Sequence, residues 1–524
     1  MTALSHPTSP ARAAQDRERL RGLVVVLAAV LAYVLLHSGF RMIASGVLGE
    51  DDTLEQILVQ ELRFGYEARQ PPLYDWVLYA VQQVTGPRLV SFLAIKYAAL
   101  TGTAVLLYLA AFRILGDRLW AALTVESLAL IYQISWRYHE GFTHEVLAMV
   151  SVAATLWAFL RLYDHGRWRD YLLFGVIAGL GFNTEPNYAV YQMCLWGAVA
   201  MQPAIRARTV RRRLLLSAAV ALALASPYLS WLLSDPAHWD EIFAPSRRGF
   251  ALDRVIGVKD AVRGPLMYLL PLVAILPAVF PGYLRTAWDD VRALFAPGNG
   301  AVAYEPARPD FERLVLATMV LGVAFSIAGG LLFGIGGYAM HVLMPLYITS
   351  VIWLIAVARR SPRGGERQMV FARVALAIAV LALVVRLANM FVYDPVCSKC
   401  RWGIPYAGLA QALRQHGATD DAVFVAVDDE LAGNLRPHFP RASFVLLGSR
   451  HFVPHGVDPA RRDVIVVWDE TAKATRPLAD TVAAALGRAP QLDAGLTLQV
   501  PWRHLWRDTG YRSSEWRMLK VHAR

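Results

Sequence analysis

The chain has 524 residues, of which 56% are hydrophobic and 18% are charged, and its formal net charge is +11. Apolar runs near the ~20-residue length of a membrane-spanning helix recur up to residue 393, which excludes an ordinary soluble protein. The positive charge does not indicate nucleic-acid binding, because the arginines cluster in short segments between apolar runs and the sequence has no nucleic-acid-binding motif.

The N-terminal segment, residues 1–21, is polar and carries four arginines, and the first apolar run covers residues 23–40. Such a start is typical of a retained helix or of a cleaved signal peptide with Ala44-Ser45-Gly46 as its small-residue site. The arginines predict that residues 1–21 lie in the cytoplasm and that the following loop, residues 41–87, lies outside.

The loop contains the only long acidic and aromatic stretch in the first half of the chain, GEDDTLEQILVQELRFGYEARQPPLYDW at residues 49–76. Four leucine and isoleucine residues with helical spacing predict a helix over residues 53–64, lying along the membrane surface. The capping-box pattern Asp52-x-x-Glu55 places its start at Asp52 or Thr53 and leaves Asp51 outside the cap. A solvated amphipathic connector explains this spacing equally well.

The loop closes with two features that predict a turn toward the membrane. Gly65-Tyr66 is expected to end the helix, and Gln70-Pro71-Pro72-Leu73-Tyr74 then restricts the backbone to a stiff turn.

The later apolar runs bring the predicted number of spans to about eleven. They cover residues 88–112, 119–136, 143–162, 171–184, 187–201, 214–233, 265–283, 314–333, 341–357 and 374–392. Arginine-rich segments at residues 161–169, 206–213 and 359–367 all agree with one orientation under the positive-inside rule. An odd number of spans then places the C-terminus outside.

The composition changes to that of a soluble domain at residue 394. Short β-type runs at residues 423–427, 444–447 and 464–468 alternate with helical segments, of which 406–415 and 475–486 are the clearest. The pattern predicts a small α/β domain on the outer face. The predicted division is therefore a tail at 1–21, a transmembrane domain at 22–393 and a soluble domain at 394–524.

Cys397 and Cys400 form a CxxC pattern just after the last span. In a reducing compartment this pattern would favour metal or redox work, whereas on an oxidising outer face we expect a local disulfide.

Three ionisable residues lie within predicted spans, where such residues usually face a polar interior or a partner. Lys96 and Glu126 lie ~12 Å and ~15 Å below the outer surface by helix rise, which predicts a structural ion pair between them. The alternative is that Lys96 binds a lipid phosphate. Arg386 lies nearer the outer surface, where it would either bind a phosphate head group or extend to the interface.

A short outer segment before the 143–162 span concentrates polar residues. Arg137, His139 and Glu140 lie there, and His144 would cap the following helix or hydrogen-bond a sugar or phosphate. The sequence demands no cofactor. A divalent metal at His144 would need further ligands, and the available ones are Asp51, Asp52, His139 and Glu140.

Two blocks of this sequence resemble glycosyltransferase family 39. The first is Asp51-Asp52 with Gly65-Tyr66 and Pro71-Pro72-Leu73-Tyr74, which is similar to the first outer loop of that family. The second is Ile134-Ser135-Trp136 with Thr143-His144-Glu145-Val146-Leu147, which is similar to the start of its fourth membrane helix. The family includes the protein O-mannosyltransferases, and the lipid A aminoarabinose transferase is a near relative.

The resemblance implies a mostly α, polytopic membrane protein with the GT-C fold. It implies an inverting glycosyltransferase in the bacterial inner membrane, with a polyprenyl-phosphate sugar as donor and an active site on the periplasmic side. The acceptor would be lipid A or lipopolysaccharide, another surface glycan, or a protein. Asp51 falls on the acidic position expected to act as general base, and Asp52 stands where Glu is usual.

The remaining site expectations follow from the same resemblance and from the polar residues described above. The expected donor- and substrate-binding residues are Tyr66, Gln70, Tyr74, Lys96, Arg137, His139, His144, Glu185, His341 and Arg386. Glu185 departs from the family, because many relatives have a lysine at that position. This departure leaves a second interpretation open, an inactive relative that only binds. A third is a transporter or flippase of lipid-linked saccharide, although the sequence has no internal repeats of broken helices.

Overall fold

The computed structural model describes residues 10–243, 250–295, 309–335, 343–393, 396–397, 400–426, 428–447, 451–459, 461–469, 482–484, 486–487, 495–504 and 511–522. Helices dominate these residues up to 393. They are α1 (Pro10–Ala44), α2 (Glu50–Leu58), α3 (Leu73–Thr85), α4 (Leu89–Leu115), α5 (Arg118–Glu126), α6 (Tyr132–Ser135), α7 (His144–His165), α8 (Trp168–Phe182), α9 (Pro186–Ala200), α10 (Pro203–Thr209), α11 (Leu214–Ser234), α12 (Pro236–Phe243), α13 (Phe250–Tyr268), α14 (Leu272–Val279), α15 (Tyr283–Phe295), α16 (Phe311–Phe333), α17 (Met344–Tyr347), α18 (Ser350–Arg360) and α19 (Gly364–Ala388).

Six of the described helices are long and apolar enough to cross a membrane, and the protein is therefore a multi-pass membrane protein. They are α1, α4, α7, α11, α16 and α19. The sequence-based number of about eleven also includes shorter segments, such as α8 and α9 with 15 residues each.

The predicted span at residues 119–136 is not a continuous helix. Helix α5 ends at Glu126, a 3-10 turn covers Ser127–Leu130, and Ile131 forms an isolated β-bridge with Pro271. The predicted ion pair of Lys96 with Glu126 is wrong, because Lys96 pairs with Asp52 instead. The depth of Glu126 was counted along an unbroken helix, and the break removes the basis for that count.

Helix α2 differs from the prediction in its bounds and its surroundings. It starts at Glu50, one residue after the capping residue Gly49, and ends at Leu58 rather than near residue 64. Its apolar residues Leu54, Ile57 and Leu58 are buried in the core of the C-terminal domain, not against the membrane surface. The apolar stripe was read correctly, but protein rather than lipid covers it.

The C-terminal domain contains a five-stranded sheet flanked by α20 (Tyr406–Gln415) and α21 (Asp429–Leu435). The strands are β1 (Val423–Ala426), β2 (Ser443–Leu446), β3 (Val464–Asp469), β4 (Leu496–Pro501) and β5 (Ser513–Val521), in the order β2-β1-β3-β5-β4. The first three are parallel to one another, and β5 and β4 are antiparallel additions. The predicted α/β domain is confirmed, with β4 and β5 as strands that the sequence analysis missed. Most of the predicted helix at 475–486 lies outside the described residues.

Helix α21 and the turn after it dock directly on α2. A Cβ atom added to Gly433 would lie 2.4 Å from the carbonyl oxygen of Thr53, so the two backbones touch at this point. Asn434 Oδ1 accepts a hydrogen bond from the backbone N–H of Leu48 at 2.7 Å. The buried guanidinium of Arg436 donates to the backbone oxygen of Gln56. The C-terminal domain therefore helps to hold the loop at residues 41–87 in place.

The CxxC pattern forms a disulfide, as expected for an oxidising compartment. Cys397 and Cys400 are joined, with 5.4 Å between their Cα atoms. The guanidinium of Arg512, near the end of the chain, donates to the backbone oxygen of Cys397 at 2.5 Å.

Candidate active site

The membrane-facing side of α2 carries two acids whose side chains reach two different clusters. Asp52 and Glu55 are three residues apart and therefore lie on the same face of the helix. Asp52 reaches what we call the cationic cluster, formed by Arg41, Lys96 and Arg386. Glu55 reaches what we call the carboxylate–histidine cluster, formed by Glu55, Asp75 and His144. The side chains of both clusters are almost completely buried, and through Asp52 and Glu55 each cluster connects α2 to helices that are long and apolar enough to span a membrane.

Asp52 forms the contact between α2 and the cationic cluster. Its Oδ2 lies 3.8 Å from Lys96 Nζ, and the two side chains are 2% and 1% exposed. The carboxylate also accepts a hydrogen bond from the backbone N–H of Gly49. Burial raises the pKa of Asp52, while the charges of Lys96 and Arg41 act in the opposite direction. Its Oδ1 has no hydrogen-bond partner among the described residues.

Asp51, by contrast, is exposed. The structure corrects its predicted position, because it lies inside the first turn of α2 and not outside the cap. The first turn is the positive end of the helix, where an ionised carboxylate is stabilised. Its charge also lies close enough to Lys96 for the two to interact. The two neighbouring acids therefore differ in access to solvent, because Asp51 is exposed and Asp52 is enclosed.

Arg386 is buried in the cationic cluster and does not extend to the membrane surface. It is 2% exposed, and its Nη2 donates to the backbone oxygen of His139 at 3.0 Å. Its Nε has no acceptor in the part of the chain that the structure describes. The charges of Arg41, Lys96 and Arg386 lie close enough to affect one another. Three cations around one paired carboxylate create a region that favours binding of an anion.

His139 connects several aromatic residues beneath this cluster. Its Nε2 is 2.6 Å from the hydroxyl of Tyr33, and its Nδ1 is 2.9 Å from the hydroxyl of Tyr97. His37 stacks on its ring, with the centroids 4.0 Å apart. Because both ring nitrogens are already in hydrogen bonds, His139 is not available as the metal ligand that the sequence analysis considered. Arg137, two residues earlier, is 44% exposed and lies 3.8 Å from Glu140.

The carboxylate–histidine cluster brings together side chains from α2, α3 and α7. Glu55 Oε1 lies 3.1 Å from His144 Nε2, and Asp75 Oδ2 lies 4.0 Å from the same nitrogen. The side chains of Glu55 and Asp75 also hydrogen-bond each other, and burial together with the charge of Glu55 raises the pKa of Asp75 well above its usual value. His144 thus contacts protein carboxylates rather than only capping its helix.

The other predicted site residues occupy varied positions. The ring of Tyr74 packs on His144 with 5.4 Å between centroids. Glu185 is buried, which together with the charge of Glu145 raises its pKa to about 8. Tyr66 donates to the backbone oxygen of Glu61 at 2.7 Å and packs against the C-terminal domain.

The remaining two predicted site residues are Gln70 and His341. Gln70 is half-buried and forms an isolated bridge with Glu67. His341 lies outside the described residues.

Several residues in or beside the two clusters were missed by sequence reasoning. They are the half-buried Tyr33 and the buried His37, Arg41, Glu55, Asp75 and Tyr97. Two of them carried a visible signal, since Arg41 ends the first apolar run and Asp75 lies inside an apolar segment after the Pro-Pro turn. Glu55 had been interpreted as a capping residue, whereas its side chain points into the protein.

The fold and sequence resemble those of known membrane glycosyltransferases. Residues 69–231 match the family model described as dolichyl-phosphate-mannose-protein mannosyltransferase. The lipopolysaccharide core galacturonosyltransferases RgtB and RgtA of Rhizobium johnstonii are 26% and 27% identical, and the matches cover 86% and 89% of this chain and 87% and 91% of theirs.

A solved structure extends the likeness to the whole fold. ArnT from Cupriavidus metallidurans bound to undecaprenyl phosphate superposes with a TM-score of 0.59, at 14% identity over 94% of this chain and 97% of that one. The chain is therefore a membrane glycosyltransferase with the GT-C fold.

Proposed function

We propose that this enzyme transfers a sugar, with galacturonic acid as the first candidate, from a polyprenyl-phosphate donor to the lipid A or core region of lipopolysaccharide. The buried cationic cluster carries this proposal, because it provides a preformed site for a phosphate. The names of RgtA and RgtB support the sugar and the acceptor, and the ArnT complex supports the lipid phosphate. A uronic acid brings a second negative charge, which three neighbouring cations also favour.

The position of the cations supports a role in binding the donor phosphate. Lys96 and Arg386 belong to helices that are long and apolar enough to span a membrane, and their buried charges lie close enough to interact. A polyprenyl chain held between such helices would present its phosphate to these groups. Negative charge develops on that phosphate as the glycosidic bond breaks, and the fixed cations stabilise it.

Asp51 is the proposed general base. The acceptor hydroxyl attacks the anomeric carbon from the outer side, its proton passes to the Asp51 carboxylate, and the lipid phosphate leaves with the bonding electrons. The configuration at the anomeric carbon is thereby inverted. Asp52 is the proposed positioning residue, since its ion pair with Lys96 anchors the first turn of α2 over the cationic cluster.

The proposed orientation places this chemistry on the periplasmic side of the bacterial inner membrane. Residues 1–21 would be cytoplasmic, while the loop at 41–87 and the domain at 394–524 would face the periplasm. The arginine distribution supports this orientation. The disulfide of Cys397 with Cys400 supports it as well, since disulfides persist in the periplasm.

The direct test is reconstitution of the purified enzyme with undecaprenyl-phosphate galacturonic acid and lipid A carrying core oligosaccharide. Mass spectrometry should show one uronic acid added to the acceptor, and none with the Asp51→Asn variant. A protein that binds the donor without transfer would support the inactive relative. Movement of lipid-linked saccharide across vesicles without transfer would support the flippase. Comparison of lipopolysaccharide from wild-type and deletion cells tests the acceptor independently.

A further inference from the structure

The carboxylate–histidine cluster has a donor set that the transfer reaction described above does not use. Glu55, Asp75 and His144 come from three separate elements, α2, α3 and α7, and their ligand atoms all lie within 4.8 Å of one another. Each residue is at most 1% exposed. Two carboxylates so close together in the protein interior repel each other unless they share a proton or a cation lies between them.

The orientation of His144 is that of a metal-binding histidine. Its Nδ1 lies 3.1 Å from the backbone oxygen of Pro71, and this carbonyl can only accept a hydrogen bond. Nδ1 therefore carries a proton, and Nε2 is directed toward Glu55 and Asp75. A histidine that donates one ring N–H to a backbone carbonyl and offers the other nitrogen to carboxylates has the arrangement found around protein-bound metals.

The spacing of the donor atoms fits a small ion. Zinc bonds of ~2.1 Å in tetrahedral geometry separate the ligand atoms by ~3.4 Å. Nε2 of His144 lies 3.1 Å from Glu55 Oε1 and 4.0 Å from Asp75 Oδ2, on either side of that value. Shortening the 4.0 Å separation toward ~3.4 Å would bring Asp75 Oδ2 and His144 Nε2 to bonding distance of one ion.

A second observation also indicates that this cluster binds an ion. Asp75 Oδ1 is buried and has no hydrogen-bond partner among the described residues, and the same holds for the hydroxyl of Tyr74. The charges of Glu55 and Asp75 reach that hydroxyl, so Tyr74 belongs to the surroundings of the cluster. Buried polar atoms without a partner are rare, and an ion with its bound solvent would satisfy both.

We propose that Glu55, Asp75 and His144 bind one divalent transition-metal ion, with Zn²⁺ as the first choice. One imidazole with two carboxylates favours zinc, manganese or iron over calcium and magnesium, which prefer oxygen ligands alone. The ion ties α2 to α3 and to the membrane helix α7. Because Glu55 is one helical turn from Asp52, the ion fixes the rotation of α2 and with it the direction of Asp51 and Asp52. It is a structural ion that positions the catalytic loop.

The test is metal analysis of the full-length enzyme, purified without a polyhistidine tag from cells grown with added zinc. Inductively coupled plasma mass spectrometry should find about one zinc per chain in the wild type, and at least ~10-fold less in Glu55→Gln, Asp75→Asn and His144→Gln. Asp52→Asn is the matched control: it removes a buried carboxylate from the same face of α2 and should keep the metal. Metal content is measured without any transfer assay. A failure of the proposed function would therefore leave the result for the metal site unaffected.

A second measurement uses the wild-type enzyme, and it applies even if the variants of Glu55, Asp75 and His144 do not fold. Dialysis of the wild type against a chelator should lower its thermal midpoint, and Zn²⁺ but not Mg²⁺ should restore it. Substitution with Co²⁺ should give the visible absorption of a tetrahedral site, absent in Asp75→Asn. Wild-type enzyme without bound metal, and with a midpoint that neither chelator nor Zn²⁺ changes, would mean that Glu55 and Asp75 share a proton instead. Metal that persists in all three ligand variants would be an adventitious ion only.

Discussion

Asp52 and Lys96 form a buried ion pair that joins the outer loop to the membrane domain, with 3.8 Å between Oδ2 and Nζ. Asp52 lies in the first turn of α2 and Lys96 lies in α4, which is long and apolar enough to span a membrane. The pair determines how α2 is placed over the cationic cluster, and its loss has consequences for both stability and transfer.

The first prediction concerns this pair. Lys96→Met leaves the carboxylate of Asp52 buried without its partner, so we expect a loss of ~3–5 kcal/mol of stability, seen as a lower thermal midpoint in detergent. The double variant Asp52→Leu/Lys96→Met removes both charges and should be more stable than Lys96→Met alone. A double variant that loses the sum of the two single effects would show that the two residues do not interact.

The second prediction separates the two neighbouring acids. Asp51→Asn keeps the size of an exposed side chain and removes the proton acceptor, so transfer should fall by at least ~100-fold with little change in thermal midpoint or donor binding. Asp52→Asn should lower the thermal midpoint as well, because its buried contact with Lys96 is lost. Normal transfer by Asp51→Asn together with an inactive Asp52→Asn would exchange the proposed roles. Normal transfer by both would refute the general-base assignment.

The third prediction tests the phosphate site. Arg386→Ala should weaken binding of the polyprenyl-phosphate donor by at least ~1.5 kcal/mol, because a buried charge-assisted contact is removed. Arg118→Ala is the matched control, since its side chain is 51% exposed and pairs with Glu18. Donor affinity is measured with a fluorescent lipid phosphate in nanodiscs. Equal affinities of wild type and Arg386→Ala, with unchanged folding, would assign Arg386 to the support of His139 alone.

The sequence predicted the features that depend on residues close to one another in the chain. The apolar runs, the parallel strands β1, β2 and β3, the helix α20 and the disulfide all follow from hydropathy, alternation or spacing within a few residues. The apolar stripe of α2 was equally clear. The sequence did not show which residues cover that stripe, because residues as distant in the chain as Leu54 and Phe444 are brought into one core only by the fold.

The two clusters could not be predicted for the same reason. Arg41, Lys96 and Arg386 are far apart in the sequence, and no spacing rule relates them. The predicted pairing of Lys96 with Glu126 was wrong for two reasons. The depth of Glu126 was calculated as if residues 119–136 formed one helix, and the loop residue Asp52 was not considered as a partner for Lys96. Buried charges in membrane proteins are thus recognisable from the sequence, whereas their partners are set by tertiary packing.

The fourth prediction concerns orientation. Alkaline phosphatase fused after residue 524 should be active in bacterial cells, because alkaline phosphatase folds to its active form only in the periplasm. A fluorescent protein fused at the same point should be dark when exported through the general secretion pathway. The matched fusions at residue 12 should give the reverse pattern. An inactive phosphatase with a fluorescent C-terminal fusion would invert the topology and place Asp51 on the cytoplasmic side.

The fifth prediction concerns the docking of the C-terminal domain on α2. Arg436 is 8% exposed, and besides Gln56 its guanidinium donates to Gln82 Oε1 at 3.2 Å. Arg436→Leu leaves these buried acceptors without a donor, which we expect to cost ~1–3 kcal/mol of stability. Arg441→Leu is the matched control, because Arg441 is an arginine of the same domain whose side chain is 70% exposed. It should leave the thermal midpoint unchanged.

The effect of Arg436→Leu on catalysis shows whether Arg436 positions α2 or only stabilises the protein. The cations proposed to bind phosphate lie on α1, α4 and α19, so Arg436→Leu should leave donor affinity within about twofold of the wild type, an effect of less than ~0.5 kcal/mol. Asp51 lies on α2 itself, so the transfer rate should fall at temperatures well below the midpoint, where the protein is folded. Addition of donor and acceptor at saturating concentration should not restore the rate. A variant whose transfer rate is normal when folded would show that α2 is held by the ion pair of Asp52 with Lys96 without help from the soluble domain.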